Sequence, residues 1–180
     1  MTIDFPNKHF LINGEWVCSD VELDLINPST GDVIGQVSAA GDDHINDAVR
    51  VARDTLENTW NNITARERST ILTKLGRLIE ENIDLLARLE ATDVGKPLKQ
   101  ARADVKALAR YMEFYAGAAD KLHGDTIPYL QDYTVYTLRE PHGVCAHIIP
   151  WNYPMQIIGR SVGAALATGN TCILKPAEEA

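Results

Sequence analysis

The chain has 180 residues, 45% of them hydrophobic and 23% charged, enough apolar material for the core of one domain or somewhat more. Its formal net charge of −8, with no local block of Lys and Arg, argues against nucleic acid or an anionic membrane as the main partner. Three cysteines, far apart and in no CxxC pattern, and five scattered histidines suggest neither a disulfide framework nor a zinc site.

The first ten residues, MTIDFPNKHF, show no basic stretch followed by an apolar one. The most apolar segment, 155–167, carries Gln156 and Arg160 and is too short to span a bilayer. A cytoplasmic protein with no membrane partner is the expectation.

In chain order, HFLINGEWVC (9–18) predicts a hairpin, because Asn13-Gly14 tolerates the positive φ values of a tight two-residue turn. A second strand pair is expected around LDLINPSTGDVIGQV, with its turn at residues 27–31. The period then becomes helical at Ile45, Ala48, Val49, Ala52, Leu56 and Trp60, with Asp42 or Asp43 as the expected cap. Thr64-Ala-Arg-Glu67 fits a capping box ahead of the apolar face Ile71, Leu72, Leu75, Leu78 and Ile79. That helical run continues through Leu89, breaks near Asn82 and stops at Gly95. Pro97 suits the first residue of the next helix, whose stripe is Ala101, Val105, Leu108, Met112 and Tyr115. These stripes read as scaffold.

Residues 132–139 alternate and are rich in Tyr, Thr and Val, which predicts a strand, in a hairpin with 126–130. Tyr129, Tyr133 and Tyr136 suit either a core or a subunit interface. GVCAHIIP then predicts a strand buried on both faces, MQIIGRSVGAALATG a helix ending at Gly169, and NTCILKP a second buried strand. Together they form a right-handed βαβ crossover, with Gly159 and Gly163 placed where the helix lies close on a sheet. No GxGxxG joins the first strand to the helix; the loop is the proline-bracketed PWNYP.

In parallel α/β sheets, ligands bind beyond the carboxyl ends of the strands. One such end presents Pro150, Trp151, Asn152 and Tyr153; the other presents Lys175 and Glu178. Two readings of Asn152 stand side by side. It is a helix cap, the commoner use of Asn, or a fixed neutral donor suited to a developing oxyanion. Lys175 and Glu178 form either a surface ion pair or a donor–acceptor pair for a ribose diol. In the second case the carboxylate repels a 2′-phosphate, so NAD is preferred over NADP. Cys145 and Cys172 fall inside predicted buried strands, where thiolate formation is disfavoured.

INGEW, NPSTGDVI, DVGKP, YAGAADKLHGDTIP, REPHGVCAHIIPWNYP and ALATGNTCILKPAE resemble, in this order, the N-terminal part of NAD(P)-dependent aldehyde dehydrogenases. The resemblance implies an α/β fold: an incomplete Rossmann-like NAD-binding domain with N-terminal β-hairpins, a helical segment and a β oligomerisation arm. The implied divisions are 1–122 for the strands and helices, 123–141 for the arm, and 142–180 for the start of the βαβ core.

By the same resemblance, Asn152 stabilises the thiohemiacetal and acyl-enzyme oxygen. Ile148, Ile149, Pro150, Trp151 and Asn152 line the nicotinamide-ribose side of the cofactor cleft. Lys175, Pro176, Ala177 and Glu178 form the segment holding the adenosine ribose. Tyr153, Gln156 and Arg160 line the aldehyde channel, and Asp93 lies near a structural monovalent-cation site. The arm implies a homo-oligomer, dimer or tetramer.

The implied reaction oxidises an aldehyde to a carboxylic acid. A cysteine thiolate attacks, hydride passes to NAD, and water activated by a glutamate releases the acid. In the family, that cysteine and glutamate lie beyond KPAE, so the 180-residue chain by itself is expected to be inactive. Two alternatives are a non-catalytic truncated relative that binds other subunits through the arm, and a dehydrogenase that passes the acyl group to coenzyme A.

Overall fold

The computed structural model describes residues 9–179. Two antiparallel hairpins come first. Strands β1 (Phe10–Ile12) and β2 (Glu15–Val17) are joined by Asn13 and Gly14, both at positive φ (53° and 79°), as the tight turn requires. Strands β3 (Glu22–Ile26) and β4 (Val33–Ser38) flank a loop in which the Ser29 N–H donates to Asn27 Oδ1 at 2.9 Å.

Helix α1 (Asp42–Asn58) starts one residue earlier than an aspartate cap would place it. Gly41 is the N-cap, its N–H donating to His44 Nδ1 at 3.1 Å, and Asp42 and Asp43 sit in the first turn against the helix dipole. A 3-10 turn (Trp60–Asn62) leads to α2 (Ala65–Glu81). Here the expected capping box is complete: the Glu67 N–H donates to Thr64 Oγ1, and the Thr64 N–H to Glu67 Oε2.

The break near Asn82 separates α2 from α3 (Ile83–Val94), and Gly95 ends α3 at φ 75°. A Cβ at Gly95 would come within 2.5 Å of Pro28 Cγ, so glycine is required there twice over. Pro97 is the N-cap of α4 (Leu98–Ala118), not its first residue, because its ψ of 133° is extended.

The core lies where α2, α3 and α4 meet α5 (Pro154–Ala167): Leu72, Ile79, Ala87, Val105, Leu108 and Met112 are its main members. Burying each large apolar side chain there stabilises the fold by about 1.5–3 kcal/mol. The glycine pair of α5 packs on α4 and not on a sheet. A Cβ at Gly159 would lie 2.9 Å from Tyr111 Cδ2 and 3.2 Å from Leu108 Cα. One at Gly163 would lie 2.9 Å from Tyr115 Cδ2. The pair was readable as a close-approach signal, but its partner is a helix rich in aromatic residues.

The arm forms a much shorter hairpin than expected, with β5 (Thr126–Ile127) paired to β6 (Val135–Tyr136). Tyr129, Leu130, Tyr133, Tyr136 and Leu138 are all exposed, which excludes a core role for these tyrosines within the chain.

Strands β7 (Val144–Ile148) and β8 (Thr171–Lys175) pair in parallel across α5, giving the expected βαβ unit. They are not buried on both faces. Ile148 is 79% exposed and Leu174 43%, because among the described residues β7 and β8 pair only with each other. Thr171 Oγ1 donates to the Ala52 carbonyl at 3.0 Å and ties the unit to α1. Among the described residues no helix is long and apolar enough to cross a membrane.

Candidate active site

Parallel pairing brings the carboxyl ends of β7 and β8 to one edge, where the Ile149 N–H donates to the Lys175 carbonyl at 2.9 Å. Beyond that edge run residues 149–153 on one side and 176–178 on the other. The two prolines of PWNYP fix the loop differently. Pro150 restrains φ in the segment leaving β7, and Pro154 is the first residue of α5, a position where its missing N–H costs nothing.

The helix-cap reading of Asn152 fails. Tyr153 is the N-cap of α5 and no side chain caps it, so the exposed Asn152 amide is left free of the helix. Trp151 is exposed beside it, and Ile149 is buried beneath. Across the edge, Lys175 Nζ and Glu178 Oε1 stand 3.1 Å apart, both well exposed. As an ion pair alone this contributes little. As an exposed donor and acceptor side by side, it has the chemistry to take a vicinal diol.

The loop is anchored from below by a charged cluster. Lys96 Nζ donates to the Asn152 carbonyl oxygen at 2.9 Å, to Asp104 Oδ2 at 2.8 Å and to Glu90 Oε1 at 2.9 Å. It also lies 4.6 Å from the centroid of the Tyr153 ring, within cation–π range. Gln100 and Gln156 each donate through Nε2 to Asp104 Oδ1 at 2.7 Å. The Lys96 side chain is 10% exposed, and those of Glu90 and Asp104 are fully buried.

Burial raises the Glu90 carboxyl above its ordinary range, against the opposing pull of Lys96. Burial also works against the charge of Asp104. The hydrogen bonds from Lys96, Gln156 and Gln100 outweigh it and hold that carboxyl below its ordinary range. Lys96 is likewise penalised by burial, but Asp104 and Glu90 raise its affinity for the proton overall.

Sequence reasoning missed this cluster. Lys96 was visible within DVGKP, and Asp104 sits on the stripe Ala101, Val105, Leu108, where a charge on a buried face was the available signal.

Of the three channel candidates, Tyr153 and Gln156 join the cluster, through the ring contact and the bond to Asp104, while Arg160 stands exposed on α5. Asp93 lies half-buried in the last turn of α3, its carboxyl pushed up by burial. Among the described residues no three His, Cys, Asp or Glu side chains gather as a metal site.

Cys145 and Cys172 face each other across the β7–β8 register as free thiols. Burial, and then the neighbouring Cys145, push the Cys172 thiol up to about 12, so it does not supply a thiolate near neutrality. His147 on β7 has a buried Nε2 without a partner among the described residues, and burial lowers its pKa.

The family pattern described as the aldehyde dehydrogenase family matches residues 16–180. Aldehyde dehydrogenase family 2 member B4, a mitochondrial protein of Arabidopsis thaliana, is 42% identical over 99% of this chain and 34% of its own length. A crystal structure of a provisionally assigned aldehyde dehydrogenase from Burkholderia cenocepacia superposes with a TM-score of 0.94 at 53% identity, covering 96% of this chain and 37% of that one. The NAD+ complex of the Bacillus cereus aldehyde dehydrogenase superposes at 0.88 with 42% identity, over 91% of this chain and 34% of that one. The chain spans about a third of the length of the curated relatives it matches. With the incomplete α/β NAD-binding fold described above, it belongs to the aldehyde dehydrogenase family.

Proposed function

We propose that this chain is the part of an NAD-dependent aldehyde dehydrogenase that carries the oxyanion donor and one wall of the cofactor cleft, in an enzyme that oxidises an aldehyde to a carboxylic acid. The observation that carries this reading is the free Asn152 amide standing beyond the same parallel-strand edge as the Lys175–Glu178 pair.

The residues at that edge fit a dinucleotide. In this reading Lys175 donates to, and Glu178 accepts from, the adenosine ribose hydroxyls, with Pro176 and Ala177 as the short link between them. Exposed Ile148, Pro150 and Trp151, supported by buried Ile149, offer an apolar surface to the nicotinamide-ribose side. When bound, the nicotinamide supplies the hydride acceptor. The ionised Glu178 disfavours a 2′-phosphate and so favours NAD over NADP.

Asn152 donates to the aldehyde oxygen as it takes up negative charge in the cysteine thiohemiacetal, and again in the acyl-enzyme. A neutral amide neither loses a proton nor reorganises during the step. The raised thiol of Cys172 argues against it as the attacking cysteine. The family resemblance implies that the nucleophile and general base lie beyond KPAE, so this chain by itself is expected to leave aldehydes unchanged. Sustained NADH formation by the 180-residue chain mixed with aldehyde and NAD would contradict that.

Tyr153, Gln156 and Arg160 are proposed to line the aldehyde's approach, and Asp93 to lie near a monovalent cation. The exposed aromatic arm at 123–141 is proposed to pair subunits into a dimer or tetramer. Those same exposed tyrosines favour a second reading, a non-catalytic subunit that joins intact relatives through the arm. Co-purification with an intact relative, abolished by deleting residues 123–141, together with inactivity of the complete protein, would favour it over the first.

A further inference from the structure

We propose that Lys96, clamped between Glu90 and Asp104, is a positioning residue that sets the Asn152 amide for the reacting oxygen; this rests on the oxyanion role proposed above. The loop around Asn152 has little to hold it otherwise. Trp151, Asn152 and Tyr153 are exposed, and the strand ladder ends at the bond from Ile149 to Lys175.

Lys96 grips the loop at two consecutive residues. Its ammonium accepts no freedom of its own, because all three donors are used: two by buried carboxylates and one by the Asn152 carbonyl. The same ammonium faces the Tyr153 ring. Fixing the carbonyl of Asn152 and the ring of the next residue holds the peptide plane between them, so the Asn152 side chain can turn only by rotation about the bonds at its own Cα.

The carboxylates are themselves located by structure that does not depend on the loop. Glu90 is on α3, Asp104 is on α4 with Gln100 one turn before it, and Gln156 brings the first turn of α5 to Asp104. The scaffold helices are thus tied to the Asn152 carbonyl through Lys96, and to the start of α5 through Gln156. Two buried carboxylates for one lysine is more charge than a loop anchor alone requires, and burial makes each ionised group costly unless it is fully paired. Glu90 Oε2 has no hydrogen-bond partner among the described residues, so this arrangement is not the cheapest way to fill the space. What it supplies is a lysine with no alternative direction to point.

The test uses the complete dehydrogenase and the variants Lys96→Met, Lys96→Arg, Asn152→Ala and the combinations of the first two with the third. Misplacement of a catalytic group by about an ångström costs about 10²-fold in rate. Because the oxyanion exists only along the reaction, that loss is expected in kcat, with the NAD dissociation constant unchanged. If Lys96 acts through Asn152, the loss vanishes when Asn152 is already Ala.

Lys96→Met is expected to lower kcat by about 10²-fold, and to cost nothing further in the Asn152→Ala background. Should Lys96→Met fail to fold, Lys96→Arg decides. It keeps the charge but presents a planar fork, and a loss of about tenfold confined to the Asn152 background supports the proposal. Losses that multiply with Asn152→Ala, or a folded Lys96 variant with kcat within about twofold of wild type, overturn it. An Asn152→Ala enzyme of full activity overturns the function reading first, and this inference with it.

Discussion

Lys96 Nζ and the carbonyl oxygen of Asn152 are 2.9 Å apart, although 56 residues separate them in the chain. That bond joins the end of the α3–α4 connection to the loop at the mouth of the βαβ unit. It makes the loop geometry a property of the helical scaffold, and several outcomes depend on it.

Removing the cation has a signed dependence on pH. Asp104 has a folded pKa below its ordinary 3.8, so its stabilising contribution is present above that value and is lost as pH falls through the folded one. Glu90 is raised above 4.5, so its protonated form is favoured by folding, and stability from this group falls as pH rises through its folded value. Lys96→Met leaves two buried carboxylates without their partner and is expected to cost about 3–5 kcal/mol at neutral pH. The gap to wild type should narrow as the pH falls from 7 towards 4 and the carboxylates protonate. Urea unfolding at a series of pH values checks this, and a gap independent of pH speaks against it.

Gly159→Ala tests the packing of α5 on α4. A Cβ there meets not only the movable Tyr111 ring but the Leu108 backbone at 3.2 Å, so relaxation requires the helices to separate. A loss of about 1–3 kcal/mol is expected on denaturant unfolding of the chain. Gly117 has nothing within 4 Å of a built Cβ, and Gly117→Ala should be neutral or slightly stabilising. Equal effects at the two positions would contradict the close approach.

Glu178→Gln, in the complete protein, is expected to weaken NAD binding by at least about tenfold, since a charge-assisted hydrogen bond contributes about 1.5–3 kcal/mol. Wild-type protein should bind NAD more tightly than NADP, and the variant should lose much of that preference. Fluorescence titration with both nucleotides measures it. Tighter NADP binding by wild type would remove the role given to this carboxylate.

The arm offers a separate outcome. Tyr133 and Leu138 are 67% and 72% exposed, and replacing both with Asp should weaken self-association of the complete protein without unfolding its core. Sedimentation velocity would show the change as a shift towards monomer. A wild-type protein that is monomeric throughout the micromolar range contradicts the interface.

What was legible in the sequence was mostly local. The Asn13-Gly14 turn, the Thr64–Glu67 box, the break at Asn82 and the stop at Gly95 each depend on residues within one turn of one another, and each appears as expected. Where the reading slipped by a residue, at Gly41 and Pro97, backbone angles decided and side-chain preference did not.

The long-range features were less readable. Asp104 was hidden inside an apolar stripe, and its partners Lys96 and Gln156 come from other segments of the chain. Gly159 and Gly163 announced a close approach but could not name the surface approached. Asn152 illustrates both sides: the loop was conspicuous for its prolines, but the cap reading fell only with Tyr153 holding the cap position.

The most direct measurement is the steady-state rate of NADH formation by the complete protein carrying Asn152→Ala, compared with wild type at saturating aldehyde and NAD. Loss of one oxyanion donor predicts a kcat lower by about 10²–10³-fold with nearly unchanged NAD affinity. A kcat within about twofold of wild type would contradict the assignment of this amide to the reacting oxygen.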